Sequence, residues 1–397
     1  MALLSDYEQR TAWKYEPIHG SFHTHEGLVY KVNLDGSYAP FHGSTVVFRP
    51  GKQCFQVIQL MQRVLYHKLD GTEMLASLLP DASIHMTLHD LVSPEMCSFN
   101  TAREYEQEVV QSIFRAAEII EKIREEYAGR KIVMISDRIV NMVSKSLVLM
   151  LRPQTEPDYE LLLELYHRFD EINSLSYPLT PHITLAYFRP GMIDADTLGA
   201  AVENVQINPK NTMVFEFYPE GLTAQSFIDM QTYLDIPERI CFCSDGGLNR
   251  SIMAAQILND LAAKRELPVI GAARAATPNT QGQPVSNQVW ETLESHGIRP
   301  DRTDLSAQYL KADEVSHFSS IVEISGRAAD RISRLCLPKE KVYNVSRFFF
   351  GVRDPEYGEI THEQAFMDLY DRAENYLDAF EHEYRKHINT AGNMQNE

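Results

Sequence analysis

Positive charge is in short supply in this chain. Lysine and arginine total 37 against 55 aspartates and glutamates, a net charge of −18 at neutral pH. Gripping long nucleic acid needs cations that displace its counterions, so that class of function is excluded. A small phosphate ester or nucleotide in a local pocket is not. Cysteine is also sparse: five residues, scattered and odd in number, make no disulfide framework and point to a reducing cytoplasm. Long apolar runs are missing. A run such as Ser146–Leu151 is far short of the roughly 20 residues needed to cross a bilayer, so no membrane association is expected. The opening MALLSDYEQR has neither a basic start nor a sustained apolar core, so no signal peptide is expected. Repeats, like-charge blocks and low-complexity tracts are absent, and the final NTAGNMQNE reads as a frayed polar tail.

What is present suits two or three globular domains: 397 residues, 44% hydrophobic and 10% aromatic. In the first half, strand patterns at Ser44–Pro50, Ser83–Leu91, Lys131–Ser136, Ser146–Arg152, His182–Phe188 and Thr212–Pro219 mix with helical ones. The helices are expected at Phe55–Leu69, Ala102–Gly129 and about Glu160–Ile172. From Pro237 strands and helices alternate: strand 239–244, helix Arg250–Arg265, strand 267–273, helix Pro284–Gly297, strand Ser319–Ser325, strand 341–348 and a terminal helix about Glu363–His387. That alternation predicts a parallel α/β sheet, with the domain boundary between Leu234 and Arg239.

Two tetrapeptides in the first half share a pattern: His85-Met86-Thr87-Leu88 and His182-Ile183-Thr184-Leu185. Alternate residues of a strand share a face, so each histidine points with its threonine. Two such strands side by side would gather two imidazoles and two hydroxyls around one anion. One imidazole could take a proton from a nucleophile and the other give one to a leaving oxygen, since histidine titrates near neutrality. Strand alternation also puts His89 on the face of His85 and Thr87. It either lines the groove or pairs with His85 in an H-x3-H metal spacing that lacks a third ligand. The loop HGSFHTHE (His19–Glu26) is a second histidine cluster, read as solvated surface. No metal site and no cofactor is assigned.

These motifs, with HGSTVVF and PHITLAYF around them, resemble the 2H phosphoesterase superfamily, which includes RNA-ligase-like cyclic phosphodiesterases. The resemblance covers roughly residues 26–234. It implies a bilobal α+β fold with pseudo-twofold symmetry and a groove between the lobes, and catalytic roles for His85, Thr87, His182 and Thr184. Substrates vary widely within that superfamily, so it implies a reaction type more than a substrate.

The second half carries the strand–loop–helix ICFCSDGGLNRSIMA. Gly246 and Gly247 let backbone N–H groups converge on an oxyanion, the loop feeds a helix N-terminus, and Arg250 offers a two-pronged donor. Ser244, Asp245, Gly246, Gly247, Leu248, Asn249, Arg250 and Ser251 form the expected phosphate-binding loop. This segment resembles the low-molecular-weight protein tyrosine phosphatases, whose loop reads C-x5-R-S. VRDPEYG resembles that family's Asp-Pro loop, which implies Asp354 as general acid and Tyr357 as a pocket wall. The segment 295–325 follows the family's middle portion.

Two positions depart from that pattern. Ser244 stands where the family has its nucleophilic cysteine, and a hydroxyl is almost wholly protonated at neutral pH. Cys243 would need a loop one residue longer, and strand alternation turns it toward the core. Gly247 stands where relatives usually have asparagine, which removes a side chain that would brace the loop. Two origins fit Ser244: a deliberate cysteine-to-serine replacement that traps substrate, or a natural pocket that binds phosphate without turnover. The departure at Gly247 favours the natural one.

The expectation is therefore an α/β protein of two domains, a 2H phosphoesterase-like domain over 1–236 and a parallel-sheet phosphatase-like domain over 237–397. The first would cleave a cyclic phosphate or short nucleotide phosphodiester without a metal. The second would bind a phosphate group. Partners would be a small phosphate ester, a nucleotide or RNA end, or a phosphorylated protein. The alternatives are a phosphotyrosine or phosphomonoester phosphatase targeted by its first half, and a non-enzymatic phospho-ligand sensor. No oligomeric state is implied.

Overall fold

The computed structural model describes residues 20–95, 101–205, 212–299, 306–325 except 313, 351–353 and 360–389, with scattered positions among the first nineteen and at 328, 332, 348, 349 and 355. By internal contacts the chain forms two compact units, Met1–Leu234 with His387–Glu397, and Asp235–Lys386. Among the described residues no helix is long and apolar enough to cross a membrane.

In the first unit the strands are β1 (Tyr15–Glu16), β2 (Phe22–His23), β3 (Gly43–Phe48), β4 (Met86–Val92), β5 (Ile132–Met142), β6 (Ser146–Pro153), β7 (His182–Tyr187), β8 (Met192–Ile193), β9 (Val214–Phe217), β10 (Thr223–Phe227) and β11 (Tyr233–Ile236), the last crossing into the second unit. The main sheet runs β1-β5-β6-β7-β4-β3-β10-β11, with β9 also on β5, and β2 pairs with β8 apart from it. Its helices are α1 (Lys52–Lys68), α2 (Ala102–Glu126), α3 (Glu156–His167) and α4 (Ala195–Glu203). α2 packs on β3, β4 and β10, while α3 packs on β5 and β6. Each lays an apolar stripe on an apolar sheet face, burying Val109, Ile113 and Ile120 in one case and Leu161, Leu162 and Leu165 in the other.

α3 starts four residues earlier than its apolar period suggests. Thr155 and Asp158 form a capping box, with Pro157 in the first turn where its missing N–H costs nothing. It also stops at His167, five residues short of the expected end. β5 extends six residues past Ser136, through a register shift between Ser136 and Ile139.

β4 and β7 lie side by side and antiparallel, with Met86 opposite Ile183. Continued one residue each way, that register sets Thr87 beside His182 and His85 beside Thr184. Both strands then carry a bulge. On β4, Val47 faces Thr87 while the next residue back, Val46, faces His89, leaving Leu88 extra. On β7, Val148 faces Thr184 and Leu147 faces Ala186, leaving Leu185 extra. The freed polar groups are satisfied: the buried Gln62 amide donates to the Leu185 carbonyl at 3.0 Å, and the Thr45 hydroxyl to the His89 carbonyl at 3.0 Å.

In the second unit β12 (Glu238–Ser244) is flanked by β13 (Val269–Ala275) and β14 (Ser320–Glu323), both parallel to it. Its helices are α5 (Arg250–Lys264), α6 (Asn287–Ser295) and α7 (His362–Asn389), the last ending in residues grouped with the first unit. The chain steps from β12 to one side and then crosses to the other. The crevice beyond the carboxyl end of β12 is therefore the switch point where such sheets place ligands. The strand expected over 341–348 lies outside the described residues, except Phe348, which is helical.

Candidate functional site

A cavity of about 450 Å³ opens in the first unit, and His85, Thr87, His182 and Thr184 all line it. The β4–β7 register produces this: Met86 and Ile183 are buried on the opposite face, so the four polar side chains share the cavity face. His182 Nδ1 lies 2.6 Å from the Thr180 carbonyl. A carbonyl only accepts, so Nδ1 carries a proton and Nε2 is the atom that exchanges one with a ligand. The His85 ring meets the half-buried Tyr233 edge to face, with centroids 5.2 Å apart.

His89 corrects the expectation from strand alternation. The extra residue Leu88 turns it away from His85 and Thr87, and it is 1% exposed. Its Nδ1 lies 2.8 Å from the Asp90 carbonyl and its Nε2 3.4 Å from Asp170, while its ring packs on Tyr166 and Phe169. Burial lowers its pKa against the smaller opposing pull of Asp170. Among the described residues no group of three His, Cys, Asp or Glu is placed to hold a metal ion.

The bulges bring in residues that sequence reasoning missed. Five positions past each motif histidine, Asp90 and Tyr187 return to the cavity. Asp90 accepts a hydrogen bond from Tyr177 at 2.6 Å. Tyr187 and Tyr233, with Phe41 and Phe227, give the cavity an aromatic wall. Lys31, Glu95 and Lys145 occupy another part of the lining. Of the HGSFHTHE cluster, His25 lines the cavity, His19 lies outside the described residues, and His23 belongs to β2. Helical or strand period carries no signal for these positions.

In the second unit the loop 245–249 leaves β12 at its carboxyl end and opens α5. Ser244 is 5% exposed, and its Oγ lies 2.9 Å from Ser251 Oγ and accepts the Gly247 N–H at 3.2 Å. Neither of these partners is a base that could remove the serine proton. Around a sulfur at the same place, these donors would stabilise a thiolate. Arg250 is buried and donates to the Val352 carbonyl at 2.8 Å and the Ile324 carbonyl at 3.3 Å, so it ties the loop to the segment entering the expected Asp-Pro loop. Thr280 donates to the Gly246 carbonyl at 2.6 Å. Asp245 and Leu248 are half-buried and Asn249 is buried in the same loop. Asp354 and Tyr357 lie outside the described residues.

Cys243 is fully buried with Cys241, Leu310, Phe318 and Ile321, and burial pushes its thiol up to about 12. Gly247 has a different role from the one its departure suggests. Its φ is +66°, and an added Cβ would stand 2.8 Å from the Ala275 nitrogen and 2.9 Å from Ala275 Cα and Cβ. The loop lies directly on β13, and the position admits only glycine without movement.

Residues 239–390 match the family described as low molecular weight phosphotyrosine protein phosphatase. No curated protein matches the chain. Among solved structures, YfkJ from Bacillus subtilis is 19% identical, covering 37% of this chain and 96% of its own, with a TM-score of 0.34. The low molecular weight protein tyrosine phosphatase SP-PTP from Streptococcus pyogenes is 18% identical over 36% of this chain and 92% of its own, TM-score 0.32. The YwlE arginine phosphatase from Geobacillus stearothermophilus is 22% identical over 38% and 97%, TM-score 0.33.

Proposed function

We propose that this protein, whose residues 239–390 are a low molecular weight phosphotyrosine phosphatase domain, cleaves a phosphodiester in its first unit and holds a phosphate group in its second. The observation that carries the first part is the β4–β7 register, which turns His85, Thr87, His182 and Thr184 onto one cavity face. In the 2H-type reaction we infer, the threonine hydroxyls hold the non-bridging oxygens. One imidazole takes a proton from water as its oxygen bonds to phosphorus. The other gives its proton to the sugar oxygen as the P–O bond breaks, leaving a phosphomonoester. His182 acts through Nε2 in either role, and the scheme uses no metal ion. A cyclic phosphate or a short nucleotide linkage is the substrate class.

We infer that the phosphatase loop binds an anion without turnover, because the two described hydrogen-bond partners of Ser244, Ser251 Oγ and the Gly247 N–H, are not bases. A small phosphate ester or a phosphorylated protein would be its ligand. The reading as an active phosphatase becomes testable at one atom: Ser244→Cys should hydrolyse a chromogenic phosphate monoester where the parent does not. Activity absent in both, together with no phosphate binding by the parent, would refute a preserved pocket. The two sites are chemically consecutive, since opening a cyclic phosphate creates a monoester.

The first part is tested with nucleoside 2′,3′-cyclic phosphates and linear dinucleotides in the presence of a chelator. The parent should hydrolyse one class, and His85→Ala or His182→Ala should lower the rate about 10²–10⁴-fold. Absence of hydrolysis across both classes, or full activity in both variants, would overturn it.

A further inference from the structure

The Lys31 and Lys145 side chains, 17% and 18% exposed, share the carboxylate of Glu95 at 3.3 and 2.8 Å on the cavity wall. One carboxylate balances one ammonium, so this end of the cavity keeps a surplus positive charge. The other carboxylate of the lining, Asp90, is engaged on β4 by Tyr177. His25 joins the lysines. Its Nδ1 accepts the Gly27 N–H at 3.0 Å, which leaves the proton on Nε2 as a donor. A Cβ added at Gly27 would meet His25 Nδ1 at 3.2 Å and Lys145 Nζ at 3.4 Å, so imidazole and ammonium crowd the same spot.

Lys145 is held there by an unusual turn. Val143 and Ser144 both have positive φ, +47° and +52°, and a β-branched residue rarely accepts that conformation. Three hydrogen bonds enforce it. Ser144 N–H donates to Asn141 Oδ1, Lys145 N–H donates to the Met142 carbonyl, and His25 N–H donates to the Ser144 carbonyl, each at 3.0 Å. The backbone is strained where it presents the lysine and is tied to the segment that carries His25.

We propose that Lys31, Lys145 and His25 form a subsite for a second phosphate on the substrate. The substrate class is then a nucleotide with a phosphomonoester in addition to the diester offered to the histidine pair, such as a nucleoside 2′,3′-cyclic phosphate bearing a 5′-phosphate. A cavity of about 450 Å³ suits one such molecule. The assignment rests on the phosphodiesterase reading of the same cavity, and Glu95 acts as a positioning residue that sets how much positive charge is left over.

The test compares kcat/KM for adenosine 2′,3′-cyclic phosphate with and without a 5′-phosphate. The phosphorylated form should be favoured about tenfold or more. That ratio should fall toward one in Lys31→Met and Lys145→Met and rise in Glu95→Gln, opposite signs that a merely structural role would not give. A parent ratio near one, or the same direction of change in all three variants, overturns the subsite. If no diester is hydrolysed, the subsite is read by calorimetry with adenosine 2′,5′-bisphosphate against adenosine 2′-monophosphate. A preference with the same pattern of signs keeps the subsite and discards the phosphodiesterase reading; equal affinities discard the subsite.

Discussion

Placing asparagine at 247, as the resemblance to phosphatase loops would suggest, should destabilise the second unit instead of bracing its loop. The added Cβ would meet three atoms of Ala275 at 2.8–2.9 Å, two of them main chain, which cannot rotate away. Overpacking of this kind costs about 1–3 kcal/mol. The φ of +66° adds about 1–2 kcal/mol for an ordinary side chain and less for asparagine. Gly247→Asn should therefore lose about 1–4 kcal/mol and Gly247→Ala about 2–5 kcal/mol. For a unit the size of Asp235–Lys386 each kcal/mol moves the midpoint by about 2–4 °C, so drops of roughly 2–16 °C are expected for asparagine. Differential scanning calorimetry of the full chain, with inorganic phosphate titrated into each variant, is the assay. If Gly247→Asn unfolds within about 1 °C of the parent, or above it, β13 gives way freely and the argument from Ala275 fails.

Other outcomes follow from single contacts. Gln62→Leu leaves the Leu185 carbonyl buried without its donor and should cost about 1–3 kcal/mol, seen as a lower midpoint accompanied by loss of diester hydrolysis. His89 has a folded pKa below its unfolded value, so the unfolded chain binds more protons, and its contribution to stability is lost as pH falls below about 6.5. Denaturant titrations from pH 8 to 5 should show that slope in the parent and a shallower one in His89→Phe. Cys243, with its thiol at about 12, should resist iodoacetamide at pH 8, where roughly one molecule in 10⁴ carries the thiolate. Rapid labelling of Cys243 in the folded protein, located by mass spectrometry, would contradict its burial.

The four motif side chains were legible because each pair obeys the two-residue period of a strand, and pairing the two strands needed only that both be buried on their other face. The bulges were not legible. Leu88 and Leu185 are ordinary strand residues with no glycine or proline to mark them. Each bulge exists because the neighbouring strand runs one residue shorter, a fact about β3 and β6. Strand alternation alone therefore puts His89 on the wrong face and gives no sign of Asp90 or Tyr187. The lysine end of the cavity joins residues from positions 25 to 145, which no local pattern links. The start of α3 was readable in Thr155-Glu156-Pro157-Asp158, but the apolar period of the helix outweighed it. At Gly247 the sequence showed a missing side chain, whereas the constraint comes from Ala275, a residue of the adjacent strand.

A floor made of two equivalent His-x-Thr strands is indifferent to direction: a phosphodiester turned end for end would meet the same four groups. The residues that the bulges return to the cavity break this equivalence, because one is a carboxylate, Asp90, and the other a phenol, Tyr187. Handedness in the site is thus set by the walls alone. Lys31, Lys145 and His25 add a second asymmetry to those walls, so a substrate's direction would be read outside the four motif groups.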